Sequence, residues 1–274
     1  MKIPLSLFAL PLVCAVAPAS AQGEGPPEWM ENITRVPPGD HANLRSVALE
    51  YTLSWNNRIN AGRVEMSVDR SGSNKGKFVG NATGKSTGFA RVLWPYDFRA
   101  RSIVDEDSLR PLAFQLSERE RNESNAYDII FEPNRQLFTT TSTKKNNETE
   151  TAKSRFKFGF GHDVLSSAFY LRSQKLDQGD ELSMVVSPFN KPYLAEFKVL
   201  GREKHKVKGK TYDAIKLDAE VGKINSDLTI KSYDKIKRST LWITNDEYRI
   251  PLELQTHIAV GFISARLDDL KWLE

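Results

Sequence analysis

The sequence predicts an all-β fold: a large curved antiparallel sheet, or barrel-like β structure, with one or two short helices. Three observations carry this. Apolar residues recur at every second position in more than ten segments. Only two segments carry a helical period. The 274 residues include a single cysteine, Cys14, inside a segment that processing is expected to remove, so burial alone must hold the fold.

The chain opens with Lys2, an apolar run from Ile3 to Val16, and Ala19-Ser20-Ala21 as a small-residue cleavage site. Residues 1–21 therefore read as a signal peptide, cleaved near Ala21, which places the protein in the periplasm or outside the cell. Pro4, Pro11 and Pro18 break the run, which is too short for a membrane-spanning helix. Residues 22–43, with Pro26, Pro27, Pro37, Pro38 and several glycines, read as a Pro/Gly-rich linker. Residues 44–274 then form a single β-rich domain.

Val47, Leu49, Tyr51, Leu53 and Trp55 fall on one face of the first strand, with Ser46, Glu50, Thr52 and Ser54 on the other. The same alternation runs through Val64, Met66 and Val68, through Phe114 and Leu116, and through Ile129 and Phe131. It returns with Met184 and Val186, Ala195 and Phe197, Ile215 and Leu217, Leu241 and Ile243, Leu252 and Leu254, and Ala265 and Leu267. Each strand has one core face and one wet face. An outer-membrane barrel shares this period, but the polar faces here carry Arg63, Glu65, Glu196, Lys198, Lys216 and Glu253, which favours a soluble sheet.

Asp163 is positioned to cap a helix running to about Ser173, with Val164, Ala168 and Leu171 plus Leu165 and Phe169 as its apolar stripe. Such a helix is expected to lie across the concave face or to plug a barrel mouth. A shorter helix is expected from Thr87 to Leu93, ended by Pro95. The polar stretch from Thr141 to Ser154 reads as a long hairpin loop or lateral excursion. Arg172 follows the stripe by about 100° and sits at its border. A carboxylate such as Asp97 or Asp246, or a ligand's acidic headgroup, is its expected partner.

Little in the sequence points to chemistry. There is no nucleophile elbow, Walker loop or dinucleotide fingerprint. The four histidines, His41, His162, His205 and His257, share no metal-ligand spacing. No catalytic residue, metal ligand or cofactor is assigned. The net charge of +4 is too small and too dispersed for a nucleic-acid binder. Lys204, Lys206, Lys208 and Lys210 form a comb that suits either an anionic glycan or a solvated hairpin tip.

Several stretches resemble the DUF3108 family of secreted bacterial proteins. They are Leu49 to Gly62 (L-x-Y-x-L-x-W, then Ala61-Gly62), Ser166 to Gly179 with Tyr170-Leu171-Arg172, Gly209-x-x-Tyr212-x-Ala214, and Leu241 to Leu267 with Leu241-Trp242-Ile243, Asp246, Arg249-Ile250-Pro251 and Val260-Gly261. The resemblance covers about Leu44 to Leu270 and implies an envelope-facing β-rich domain without assigned catalytic machinery.

The expected function is that of a non-enzymatic cell-envelope protein, not integral to the membrane, whose curved sheet holds a lipid or other amphipathic ligand among residues such as Tyr51, Trp55, Phe114 and Phe197. The ligand-contacting candidates are Trp55, Trp94, Arg172, Trp242 and Arg249. A glycan-binding or envelope-scaffolding module is the alternative, and a carboxylate-dependent hydrolase the third reading.

Overall fold

A computed structural model describes residues 26–42, 44–70, 76–232 and 238–273. The expected signal peptide lies outside the described residues. A short helix α1 (Glu28–Glu31) precedes β1 (Val47–Trp55), β2 (Ile59–Asp69) and β3 (Lys77–Ser86). Helix α2 (Gly88–Leu93) leads into β4 (Tyr96–Asp105), β5 (Pro111–Glu120), β6 (Glu123–Glu132), β7 (Arg135–Thr143) and β8 (Thr149–Phe156). A two-residue β9 (Gly161–His162) opens helix α3 (Val164–Ser173). There follow β10 (Glu181–Val186), β11 (Tyr193–Val207), β12 (Lys210–Ile224), β13 (Ile230–Ser232), β14 (Arg238–Thr244), β15 (Pro251–His257) and β16 (Phe262–Trp272).

These strands form one sheet in the order β8-β7-β6-β5-β4-β3-β2-β1-β16-β15-β14-β12-β11-β10-β9, with β13 on the side of β12. Every pairing is antiparallel except β9 with β10. The all-β class expected from the alternation is the class observed. β1 pairs with β16 along its whole length, Val47 opposite Trp272 and Trp55 opposite Ile263, which joins the two ends of the chain at the centre of the sheet. Apolar faces point inward onto α3 and charged faces point outward, the reverse of a lipid-spanning barrel.

The first strand is buried on its expected face only part of the way. Val47, Leu49 and Tyr51 are buried, but the β1–β2 register shifts between Leu53 and Ser54. Beyond that bulge Ser54 is fully buried and Trp55 is 39% exposed. The extra residue, Ala61, is on β2, so the alternation of β1 continues. Ser54 is buried on the outer face beside Ser264, 2.9 Å away, and Trp55 lies at the exposed end of the strand.

Both expected helices form, at the expected places. Asp163 caps α3: its Oδ1 accepts from the Leu165 and Ser166 amides at 2.8 and 3.0 Å, and the Ser166 hydroxyl accepts from the Asp163 amide at 3.0 Å. α3 is not the one-sided amphipathic helix expected, however. Residues around most of its circumference are buried, including Ser166, Tyr170, Arg172 and Ser173, while Val164 is exposed. A helix enclosed by a curved sheet meets protein on more than one side, so its burial pattern loses the single stripe.

Residues 26–42, the described part of the expected linker, are docked on the sheet. Ile33 is buried in the core, Thr34 exchanges hydrogen bonds with Ser183, and Trp29 Nε1 donates to the Leu228 carbonyl at 2.9 Å. Tyr170 on α3 donates its hydroxyl to the Val36 carbonyl at 2.6 Å. In the polar stretch 141–154 only the tip is loop, because Thr149–Phe156 is the edge strand β8. An edge strand with solvent on both faces needs backbone pairing but no apolar side, and its charges discourage further pairing.

Candidate functional site

Gly80 on β3 sets how closely α3 can approach the sheet. A Cβ there would stand 2.8 Å from Phe169 Cζ, so the missing side chain lets the ring lie on the strand. Farther along, the helix leaves the sheet and a cavity of about 250 Å³ opens between α3 and the strands around β1, β2 and β14–β16. Its walls are mainly apolar, with Val64, Met66, Ala168, Leu171, Phe197 and Leu241 among the residues that line it. A second cavity, about 340 Å³, shares Val64 and Met66 and continues past Phe98, Phe114, Val164 and Phe189.

The polar residues of this lining are Ser167, Glu253 and Arg172. Arg172 is buried at the wall of the first cavity, and its Nη2 donates to the Tyr248 carbonyl at 2.6 Å. Its Nε is buried and has no partner among the described residues. Burial pushes the guanidinium down to about 10, with Tyr51 and Asp246 acting in the opposite direction, so it is charged at neutral pH. The expected carboxylate partners are engaged elsewhere. Asp97 pairs with Arg91 through two bonds of 2.8 Å, and Asp246 Oδ1 accepts from the Thr244 hydroxyl and from the Tyr248 and Arg249 amides. The Tyr51 hydroxyl beside it donates to the Pro251 carbonyl at 2.9 Å.

The other sequence candidates lie away from this cavity. Trp55 and Trp94 are exposed at one end of the sheet, Trp55 donating Nε1 to the Val260 carbonyl at 3.1 Å. Arg249 is buried beside α3's exit, donating to the Lys175 carbonyl at 3.3 Å and facing His41 at 3.0 Å. Trp242 points to the outside of the sheet. There the β11–β12 hairpin folds back over β14–β16, and His205 stacks on the Trp242 ring at 4.4 Å. Of the residues expected to line a cavity, Tyr51 and Phe197 line the first and Phe114 the second.

Under that hairpin lies a polar cluster the sequence did not indicate. Glu253 is buried and accepts from His205 Nε2 at 2.9 Å, Gln255 at 2.8 Å and Asn57 at 3.3 Å. Burial raises this carboxyl, but the three hydrogen bonds more than offset it and leave it below the usual range. Trp242 Nε1 donates to Glu203 at 2.7 Å, and Lys208 pairs with Asp268 at 2.7 Å. The lysine comb is thus a hairpin tip, with Lys204 on Asp213 and Lys208 on Asp268. His205 and Glu253 come from strands far apart in sequence, and no motif joins them. Among the described residues no group of three or more His, Cys, Asp or Glu is placed to hold a metal, and no helix is long and apolar enough to cross a membrane.

A curved antiparallel sheet wrapped on one internal helix, with a mainly apolar cavity and a buried arginine between them, defines a β-barrel-like protein. The chain belongs to the DUF3108 family, proteins of unknown function, whose family model matches residues 50–268. Its fold is similar to that of a β-barrel-like protein of the domain of unknown function DUF1849 from Brucella abortus: TM-score 0.55 at 10% identity, covering 84% of this chain and 99% of that one. The hypothetical lipoprotein YmcC from Escherichia coli also matches, at TM-score 0.28 and 10% identity over 88% of this chain and 91% of that one. No match was found among curated proteins.

Proposed function

We propose that this is a non-enzymatic protein of the cell envelope, periplasmic or secreted, that holds an amphipathic ligand with an acyl chain and an acidic headgroup inside its barrel. The observation that carries this is Arg172: a buried cation without an ion-paired carboxylate, set in the wall of a mainly apolar cavity. A hydrocarbon chain suits the walls, and a carboxylate or phosphate suits a guanidinium with an unused donor. The size of the space, at the small end for ligand pockets, suits a single chain. The N-terminal signal-like segment supports the compartment.

The glycan reading has less behind it, since two of the four comb lysines are already neutralised by neighbouring carboxylates. The hydrolase reading has the His205–Glu253 pair, but Glu253 is buried beneath the folded-back hairpin that carries His205.

The test compares a fatty acid with the fatty alcohol of equal length on delipidated protein, by calorimetry. The acid is expected to bind about 10- to 100-fold tighter, the difference a charge-assisted hydrogen bond supplies. Arg172→Met is expected to abolish that preference while its unfolding midpoint stays within about 4 °C of the parent. Ala168→Phe, which fills the cavity, is expected to remove binding of both. Equal affinity for acid and alcohol in the parent protein, or binding of neither, sinks the proposal.

A further inference from the structure

Half of the exposed large apolar side chains among the described residues gather at one edge of the sheet. Trp55 and Ile59 flank the β1–β2 turn, Phe89, Val92, Leu93 and Trp94 lie on or beside α2, and Val260 caps the β15–β16 turn. Val92 and Phe89 are 77% and 70% exposed, values that no internal packing explains. Backbone and side-chain bonds tie these pieces into one rim: Trp55 Nε1 to Val260 O, Asn56 N to Phe262 O, Thr87 N to Ala61 O and Arg121 N to Pro95 O. Arg121 also donates to the Leu93 carbonyl at 2.7 Å, which brings the β5–β6 turn to the same edge.

The four turns of this rim, residues 56–58, 87–95, 121–122 and 258–261, contain Arg58, Arg91 and Arg121, and the exposed Glu120 and Glu123 flank the third. Arg91 is paired with Asp97, whereas Arg58 and Arg121 are exposed. At the opposite end, the β4–β5 and β14–β15 turns present Asp105, Glu106, Asp107, Asp246 and Glu247, and their arginines, Arg110 and Arg249, are drawn into the protein. The rim also leads inward. Trp94 stacks on Tyr96 at 4.8 Å and Tyr96 lies 6.3 Å from Phe98, and the last two line the second cavity.

We infer that this rim docks on an anionic lipid surface, with α2 and the two neighbouring turns inserted at the headgroup level and Arg58 and Arg121 on lipid phosphates. Apolar side chains projecting from a rigid edge, an aromatic at the boundary and exposed arginines beside them are what such a surface recognises. Docking rests on the rim alone. That the rim gives a lipid acyl chain a path along Trp94, Tyr96 and Phe98 into the cavity rests on the ligand reading above.

The experiment is co-sedimentation of the protein, purified from its native host and with its processed N terminus established by mass, with two kinds of vesicle. One is phosphatidylcholine alone and the other is phosphatidylcholine with phosphatidylglycerol. Binding is expected to favour the anionic vesicles. The double variant Phe89→Asp/Val92→Asp is expected to lower partitioning at least about tenfold on both. Arg58→Gln, on the turn and independent of α2 folding, is expected to lower it about fivefold on the anionic vesicles only. Ala168→Phe is expected to leave docking intact. Docking by a parent protein that retains no acyl ligand removes the ligand reading and leaves this inference standing. Absence of co-sedimentation, partitioning indifferent to the rim variants, or a rim-dependent dimer in place of vesicle binding overturns it.

Discussion

His162 shows how a single residue couples burial to pH. Its ring is fully buried between Phe160 and Tyr170, with centroids at 6.2 and 5.0 Å, and neither nitrogen has a partner among the described residues. Burial, and the positive charge of Arg110, push it down to about 3. Between that value and the ordinary 6.5 the unfolded chain binds a proton that the folded chain refuses, so stability falls as pH drops through this window. The loss is about 1.4 kcal/mol per pH unit. The neighbouring Asp163 acts with the opposite sign: burial raises its carboxyl, the folded state takes up its proton first, and acidification through that range favours folding. His162→Leu removes only the first effect. Urea unfolding at pH 6 and pH 4 is expected to show a much smaller loss for the variant than for the parent, and equal losses would remove His162 from this account. At this scale the sequence was partly legible. Arg172 stands out because a cation at the border of an apolar stripe is conspicuous, whereas the burial of His162 depends on strands far from it in the chain.

Among the elements, α3 is held by its cap and by the space Gly80 leaves for Phe169. Gly80→Val places atoms where the Phe169 ring lies, and overpacking of this kind costs about 1–3 kcal/mol. The expected result is a lower denaturation midpoint, and Gly80→Val/Phe169→Leu is expected to recover part of it. The β11–β12 hairpin is held on the outer face by Glu253. His205→Ala takes one of three donors from that buried carboxylate and is expected to cost about 1–3 kcal/mol, read as a shift in urea midpoint. Amide exchange should rise along 203–213 in the same variant, and unchanged protection there would mean that the hairpin is fastened by Lys208 and Asp268 instead. The boundaries of α3 could be read from the sequence because a cap and a helical period are local signals. The strand β8 could not, since Thr149–Phe156 has no apolar face to announce it.

For the whole molecule, the hydrogen-bonded path ends at β8 and β9, and side chains bridge back across the seam. Gln136 at the start of β7 is fully buried, accepts from the Ser187 hydroxyl at 2.6 Å and donates to the Phe158 carbonyl at 3.2 Å. Gln136→Ala leaves both partners unsatisfied and is expected to cost about 1–3 kcal/mol, with faster exchange confined to β9, β10 and the start of β7. Uniform exchange throughout the sheet would show that the seam is not a separate unit of opening. The seam matters to the site, because α3 enters the barrel directly from β9 and carries Arg172 to the far end of the cavity.

By itself the sequence determined the strand period, the all-β class, the two helices and the inward direction of Tyr51, Phe114 and Phe197. These follow from rules that act within a few residues: alternation in a half-buried strand, a capping side chain, and proline at a helix end. Only the tertiary structure decided that β1 lies against β16, that α3 is enclosed and that Trp242 is covered from outside by a hairpin folded back over it. The physical reason is that sheet neighbours are joined by backbone hydrogen bonds common to every residue type. Alternation therefore says that a strand has two faces but not what covers each, and the space left around Arg172 is a property of the packed whole.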